Sequence, residues 1–423
     1  MLKDVEVFWN ALTSYYPGLY DQTPQISLDA ALSDFRKAIP SDGLTIGEFA
    51  NRLRIFMHLF SDNHMSLWEI YAPEDAVYLP VEIGAIAGKL YIVSSQVKAL
   101  PAGARIKTLD GLPSERVIDA VWPQLGHSDG TLGNWERESL SRNAGRFWAS
   151  TSAHRAGDKI TIELSDGSKI PVTLGKQPVS GQTDWWTRTE NITKSRGMRI
   201  PGFDDTSNIV IRRISPESDA ITLYSFDWTD VEKDEIDRYF SATANQLPAN
   251  IILDLRFNPG GDELTQWYFD SYFIKQELRP FEYKSVLQKK ISTDGGAGNL
   301  VDGDEKTFGD FVLSDNGTYR ASPKPNEIIA VRNEGPFSGR LVILTSGMTG
   351  SAAFDSARLL KAGAQAILVG RPGPHGTNRM IAERFAQVYL SASGVNLGIP
   401  MVKWLPRRTV KQVRQSNYPL TIR

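Results

Sequence analysis

Leu341-Val342-Ile343-Leu344-Thr345-Ser346-Gly347-Met348-Thr349-Gly350-Ser351-Ala352-Ala353-Phe354 is the stretch that decides how this chain is read. Four branched apolar residues in a row predict a buried strand and a glycine-bearing turn follows. Beyond it Ala353, Phe354, Ala357 and Leu360 recur at helical spacing, with Gly363 as the stop. Ser351 therefore stands at a strand-to-helix corner. A hydroxyl there projects from the carboxyl end of a sheet, and the first helical N–H groups, which lack partners within the helix, point at whatever it attacks. Such a corner suits a serine nucleophile, and it equally suits a serine that only caps a helix.

Working outward, Ala366-Ile367-Leu368-Val369-Gly370 brings the chain back as a second strand, which predicts a strand-helix-strand unit with parallel pairing. Upstream, Ile251-Ile252-Leu253-Asp254-Leu255 is a near-continuous apolar run, as at the centre of a covered sheet. It leads through Arg256-Phe257-Asn258-Pro259-Gly260-Gly261 into Asp262-Glu263, an acidic first helical turn that a helix dipole favours. Ile209-Val210-Ile211 and Ala220-Ile221-Thr222-Leu223-Tyr224 predict two further strands. Thr229-Asp230-Val231-Glu232 is a capping box opening a helix with Ile236, Tyr239, Phe240, Thr243 and Leu247 inward. Residues 282 to 334 read as an irregular arm rich in Gly, Asp and Lys.

The first 70 residues are helical in pattern. Val5, Phe8, Trp9 and Leu12 form one stripe ended by Pro17-Gly18, and Leu28, Ala31, Leu32, Phe35 and Ile39 form a second ended by Pro40. Thr45-Ile46-Gly47-Glu48 is a capping box opening a third helix, with Phe49, Leu53, Phe56, Met57 and Phe60 inward. Past it, Ser61-Asp62-Asn63-His64-Met65-Ser66 puts His64 on a loop, where side chains carry function, whereas His58 lies within the helix. From Tyr78 to Leu174 the period becomes two: Leu90 to Val93, Ile106 to Leu109, and a hairpin around Asp166-Gly167, with a short helix near Val117 to Trp122. His127 and His154 fall in a polar segment and read as solvated. The expected organisation is a helical N-terminal lobe (1–75), a β-rich domain (76–175), a linker (176–205) and an α/β domain (206–423).

Composition narrows the function. A net charge of -2 without a long basic run argues against nucleic acid or an anionic membrane surface as partner. With 0 cysteines there is no disulfide, zinc-thiolate site or cysteine nucleophile. The N-terminus is charged and already amphipathic, so no signal peptide or membrane span is expected in these residues, which fits a cytosolic protein or one whose leader was removed.

Taken together, these motifs resemble the carboxy-terminal processing (tail-specific) serine peptidases, and within them the tricorn-like branch. Asp254-Leu255-Arg256-Phe257-Asn258-Pro259-Gly260-Gly261 is similar to the family's glycine turn and is the most specific match. Thr349-Gly350-Ser351-Ala352-Ala353 resembles its nucleophile segment, and Asp62-Asn63-His64 the loop that supplies the base. The β-rich segment, with Ala102-Gly103-Ala104-Arg105-Ile106 and Asp110-Gly111, is similar to its PDZ-like domain. The resemblance implies an α/β, crotonase-like catalytic domain beside a helical N-terminal lobe and a small β-rich PDZ-like domain. It also implies a serine endopeptidase, acting on peptides or unfolded protein through an acyl-enzyme on Ser351, without metal or cofactor, and exported to the periplasm or cell envelope. A catalytically impaired peptide-binding relative, and an acyl-group enzyme on the same architecture, are the alternatives.

The chemistry agrees with the resemblance. A serine hydroxyl needs a neighbouring base, and an imidazole titrates near neutrality. His64 is the expected base; His375, in Pro374-His375-Gly376-Thr377, is the second choice and stands close to where the processing branch carries a catalytic lysine. By the resemblance, Gly260 or Gly261, together with Ala352, supply the oxyanion N–H groups; a glycine pair also suits a plain tight turn. One part departs from the pattern. Gly398 to Pro406 resembles the lead-in to an orienting acid, yet Arg407 to Arg423 contains no Asp or Glu, which leaves Asp62 and Glu383 as candidate acids or a chain cut short.

Overall fold

The computed structural model describes residues 1–67, 77–122, 125, 137–140, 144–145, 148–149, 154–175, 197–201, 203, 205–242, 247–288, 308–333, 335–371, 373 and 380–406. The architecture is mixed α/β. Three N-terminal helices, α1 (Leu2–Tyr15), α2 (Gln25–Lys37) and α3 (Ile46–Met57), follow the three stripes of the sequence, and the Thr45/Glu48 capping box is present with both of its bonds. A single 3-10 turn over His58–Phe60 ends at Ser61, whose φ of 46° turns the chain out of the helix, and β1 (Ser66–Leu67) follows.

The next elements are β2 (Val81–Ile86), β3 (Lys89–Ser95), β4 (Arg105–Leu109), β5 (Leu112–Pro113), α4 (Ser114–Val121), β6 (Lys159–Leu164) and β7 (Lys169–Thr173). They form one antiparallel sheet, ordered β2-β3-β4-β6-β7 with β5 on β4, over a hydrophobic cluster of its own that includes Leu90, Leu109, Val117 and Ile162. His154, read as solvated, is half-buried: its Nε2 sits 3.0 Å from Asp110 Oδ2, and its ring packs 5.6 Å from that of Trp148. The Asp110-Gly111 turn brings that carboxylate up from a strand far away in sequence, which no local pattern encodes.

The chain then continues through β8 (Met198–Arg199), β9 (Ile209–Ser215), β10 (Ser218–Leu223), α5 (Asp230–Ala242), β11 (Asn250–Asp254), α6 (Glu263–Asp270), β12 (Phe281–Val286), β13 (Val312–Leu313), β14 (Tyr319–Ala321), β15 (Arg340–Thr345), α7 (Ser351–Gly363), β16 (Ile367–Gly370), β17 (Met380–Leu390) and β18 (Val395–Pro406). A second sheet runs β16-β15-β11-β10-β9-β8, and its first four strands are parallel to one another. The expected parallel strand-helix-strand unit is therefore present, with Ile343 paired to Leu368. Parallel neighbours place all their carboxyl ends on one rim, where the loops after β11 and β15 lie side by side.

The third sheet is ordered β1-β18-β12-β14-β13, with β17 on β18. Part of the stretch read as an irregular arm thus belongs to a sheet: β12, β13 and β14 are too short and too polar to be signalled by periodicity, and they exist because β18 offers an edge. The long β17–β18 hairpin is also the platform for the N-terminal helices. Helix α1 packs on both of its strands, Ala392 N–H donates to buried Asp4 Oδ1 at 3.0 Å, and Ser66 pairs with Gly398. One hydrophobic cluster consequently runs from Val5 and Phe56 through to Leu253, Leu359 and Trp404.

Candidate active site

The site is assembled on the rim of the parallel sheet. After β15 the chain turns through residues 346–350 into α7, whose N-cap is Gly350, so Ser351 is the first helical residue and not the cap. Its φ is 45°, in the left-handed region that costs an L residue on the order of 1–3 kcal/mol. A strand-to-helix elbow strained in this way lifts a hydroxyl away from its own helix. Hydrogen bonds from the neighbouring turn hold the strain in place. Thr349 Oγ1 donates to Leu255 O at 2.8 Å, Ser346 Oγ to Arg256 O at 2.5 Å, and Gly350 N–H to Asn258 O at 3.0 Å. Asp254 in turn grips the Arg256 guanidinium through two bonds of 2.8 and 2.6 Å, and this contact holds the arginine above its ordinary pKa despite burial.

Two glycines allow the close approach. At Gly260, φ is 124° and an added Cβ would stand 2.5 Å from Ser351 Cβ and 3.2 Å from Ala352 N. At Gly261, φ is 129° and an added Cβ would meet Asp227 N at 2.7 Å. Both positions are closed to any other residue, for steric as well as conformational reasons. Asn258, fully buried, accepts the Gly260 N–H on Oδ1 at 2.8 Å, and Gly260 O accepts Phe226 N–H at 2.8 Å. Ala352 is the second residue of α7, where position leaves the N–H without an intrahelical acceptor.

The N-terminal loop closes over this corner. His64 Nε2 lies 3.2 Å from Ser351 Oγ, a contact between residues from opposite ends of the sequence. Pairing of Ser66 and Leu67 with β18 fixes the loop from one side, and the left-handed Ser61 fixes it from the other. Within the loop, His64 N–H donates to Asp62 Oδ1 at 2.9 Å. Asp62 is 1% exposed; its Oδ2 accepts Tyr16 OH at 2.8 Å, and its Oδ1 stands 3.8 Å from His64 Nδ1, longer than a hydrogen bond.

The structure thus brings Ser351, His64, Asp62, Gly260 and Ala352 together, with Gly261 one residue further along the same turn. Glu383 faces elsewhere: it accepts Trp404 Nε1–H at 3.1 Å and pairs with Lys284 Nζ at 2.7 Å. Burial opposes the charge on Lys284, but Glu383 and Glu327 outweigh it and raise the amine above its usual pKa. Glu263, at the start of α6, is pushed up to about 7, first by burial and then by Glu383. His375 lies outside the described residues. Among the described residues no group of His, Asp and Glu is arranged to hold a metal ion. Two contributors had not been identified from sequence, Tyr16 and Asn258. Tyr16 ends the first helix beside Pro17, and Asn258 sits inside the glycine turn, so each had a local structural explanation that hid its polar role.

Residues 220–408 match the family model described as Peptidase family S41. The structure of mature CPAF complexed with lactacystin superposes with a TM-score of 0.62 at 16% identity, over 95% of this chain and 89% of that one. Mature CPAF by itself gives 0.59 at 13% identity, over 96% and 88%. At these identities the likeness is one of fold. No curated protein matches the chain by sequence.

Proposed function

We propose that this chain, whose residues 220–408 match the model of peptidase family S41, is a serine peptidase that hydrolyses peptide bonds through an acyl-enzyme on Ser351 with His64 as general base. The observation that carries this reading is the 3.2 Å approach of His64 Nε2 to Ser351 Oγ at a strained helix start. As Oγ bonds to the peptide carbonyl carbon, its proton passes to Nε2 and the carbonyl electrons move onto oxygen. The oxyanion is met by the Ala352 N–H and by the glycine turn. Because Gly260 gives its N–H to Asn258, Gly261 is the donor assigned to the substrate side, and Asn258 keeps the turn in shape. Collapse expels the amine, which takes the proton from Nε2; water then repeats the sequence on the ester.

Asp62 is the proposed orienting acid. Its carboxylate is buried, fixed by Tyr16 and by the His64 backbone, and stands on the Nδ1 side of the ring, where it favours positive charge on the imidazole during transfer. The antiparallel sheet over residues 77–175 supports the PDZ-like reading, with a strand edge for an extended peptide, and the parallel sheet with α6 and α7 supports the crotonase-like one. Peptide or unfolded protein is the proposed substrate.

The 3.8 Å between Asp62 and Nδ1 favours a second reading, a catalytically impaired peptide-binding relative. Fluorophosphonate labelling separates the two. Labelling of the native protein and not of Ser351→Ala supports the peptidase; no labelling at any pH from about 6 to 9, where an imidazole base acts, supports the impaired relative. Full labelling of His64→Ala would move the base to His375.

A further inference from the structure

Where β10 ends, residues 225–227 form a hook around the glycine turn. Phe226 N–H donates to Gly260 O at 2.8 Å, and Ser225 Oγ stands 3.4 Å from the same oxygen. The Ser225 hydroxyl also lies 2.9 Å from Asp227 Oδ2 and accepts Asp227 N–H at 3.0 Å. The hook therefore holds the Asp227 carboxylate in one orientation, although Asp227 and Gly261 are both exposed to solvent. The other oxygen, Oδ1, faces the turn: a Cβ built on Gly261 would stand 2.9 Å from it, just as one built on Gly260 would stand 2.5 Å from Ser351 Cβ. Since consecutive Cα atoms are about 3.8 Å apart, Asp227 Oδ1 lies no more than about 12 Å from Ser351 Cβ. An extended peptide advances about 3.4 Å per residue, so a long side chain within about three residues of the scissile bond reaches that oxygen.

Two other carboxylates follow the turn, and each is engaged with its own surroundings. Asp262 Oδ2 caps α6 by accepting Thr265 N–H at 2.7 Å. Glu263 lies in the field of Glu383 and Lys284, and burial first, then Glu383, pushes its carboxyl up to about 7. Asp227 differs from both in that its Oδ1 faces the glycine turn itself, 2.9 Å from where a Cβ on Gly261 would stand.

We propose that Asp227 is a specificity residue, which recognises a cationic side chain, lysine or arginine, in the substrate close to the bond cleaved. This rests on the peptidase reading above, so the experiment scores the two separately. Internally quenched peptides, acetylated and amidated at their ends so that charge comes from side chains alone, carry Lys, Gln or Glu at each of the three positions on either side of the scissile bond. At one position Lys is preferred over Gln by about three- to fivefold in kcat/KM, the upper part of the range of an exposed ion pair. In Asp227→Asn that ratio falls to within about twofold of unity, and in Asp227→Lys the preference moves to Glu, as the sign of the pair dictates. For the native enzyme, raising sodium chloride from about 20 to about 500 mM shrinks the preference, because the Debye length falls severalfold; this arm needs no variant to fold. Cleavage of all peptides without a cationic preference, or a preference untouched by salt and by both substitutions, overturns the inference and leaves the peptidase standing. Cleavage of none removes the peptidase and the inference together.

Discussion

The phenol of Tyr16, at the end of the first helix, donates to the carboxylate of Asp62 at 2.8 Å, and both side chains are fully buried. The bond joins the N-terminal helices to the loop that carries His64. Replacing Tyr16 by Phe leaves a buried carboxylate short of one donor and should cost about 1–3 kcal/mol of stability, read by denaturant unfolding. Fluorophosphonate labelling should slow as well, and slow further, by about 10²- to 10⁴-fold, in Asp62→Asn. Folded variants that label at the native rate would remove Asp62 from the reaction.

Gly260→Ala should abolish labelling of Ser351 while the protein still folds. The added methyl meets Ser351 Cβ at 2.5 Å, and its backbone keeps φ at 124° only under strain of about 1–3 kcal/mol. Gly103→Ala, with φ 83° but nothing within 4 Å of the added Cβ, is the control for strain alone and should label normally. Equal loss in both would point to global instability rather than to the nucleophile.

Asp270 joins α6 to α7: Ser356 Oγ donates to it at 2.6 Å and Gln266 contacts its other oxygen. Burial, the largest cause, pushes this carboxyl from 3.8 up to about 8. The native state therefore binds the proton more tightly than the unfolded chain. Its contribution is complete below about pH 4, is lost as pH rises toward about 8, and changes no further above that. Gln266 Oε1 is buried without a partner, and an amide flip would let a protonated Asp270 donate to it. Asp270→Asn offers the same donor at every pH. It should be at least as stable as the native protein at pH 8 and should lose the decline between pH 5 and 8; matching pH-stability curves for the two proteins would contradict this assignment.

Lys284 is 6% exposed in its side chain, lies between Glu327 and Glu383 at 2.7 Å each, and has its ammonium 4.4 Å from the Trp404 ring. Lys284→Met should destabilise by on the order of 3 kcal/mol, because two largely buried carboxylates lose their cation. Adding Glu383→Gln should restore part of that loss. If the double variant is no better than the single one in thermal unfolding, the deficit is one of packing and not of charge.

How much of this was legible beforehand can be traced residue by residue. The capping box at Thr45 and the Glu232 contact to Thr229, the parallel pairing of Val342–Thr345 with the strand after α7, and the position of Ser351 at a corner could all be read locally, since periodicity and end signals act within a few residues. The choice between capping and protruding at Ser351 could not. It depends on a φ of 45°, which bonds to the carbonyls of Leu255, Arg256 and Asn258 enforce from the turn after β11.

The sequence by itself determined the elements of the central sheet and put a hydroxyl, a glycine pair and an imidazole on loops. Tertiary structure decided that they meet. The reason is that β1 finds its partner in Gly398 and Leu397, more than three hundred residues away, on a hairpin whose strand pairing no local pattern marks. Hydrogen-bond register between distant strands and the packing of Tyr16 against Asp62 are properties of the closed chain. They bring the imidazole to 3.2 Å from the Ser351 hydroxyl, which periodicity in the sequence does not do.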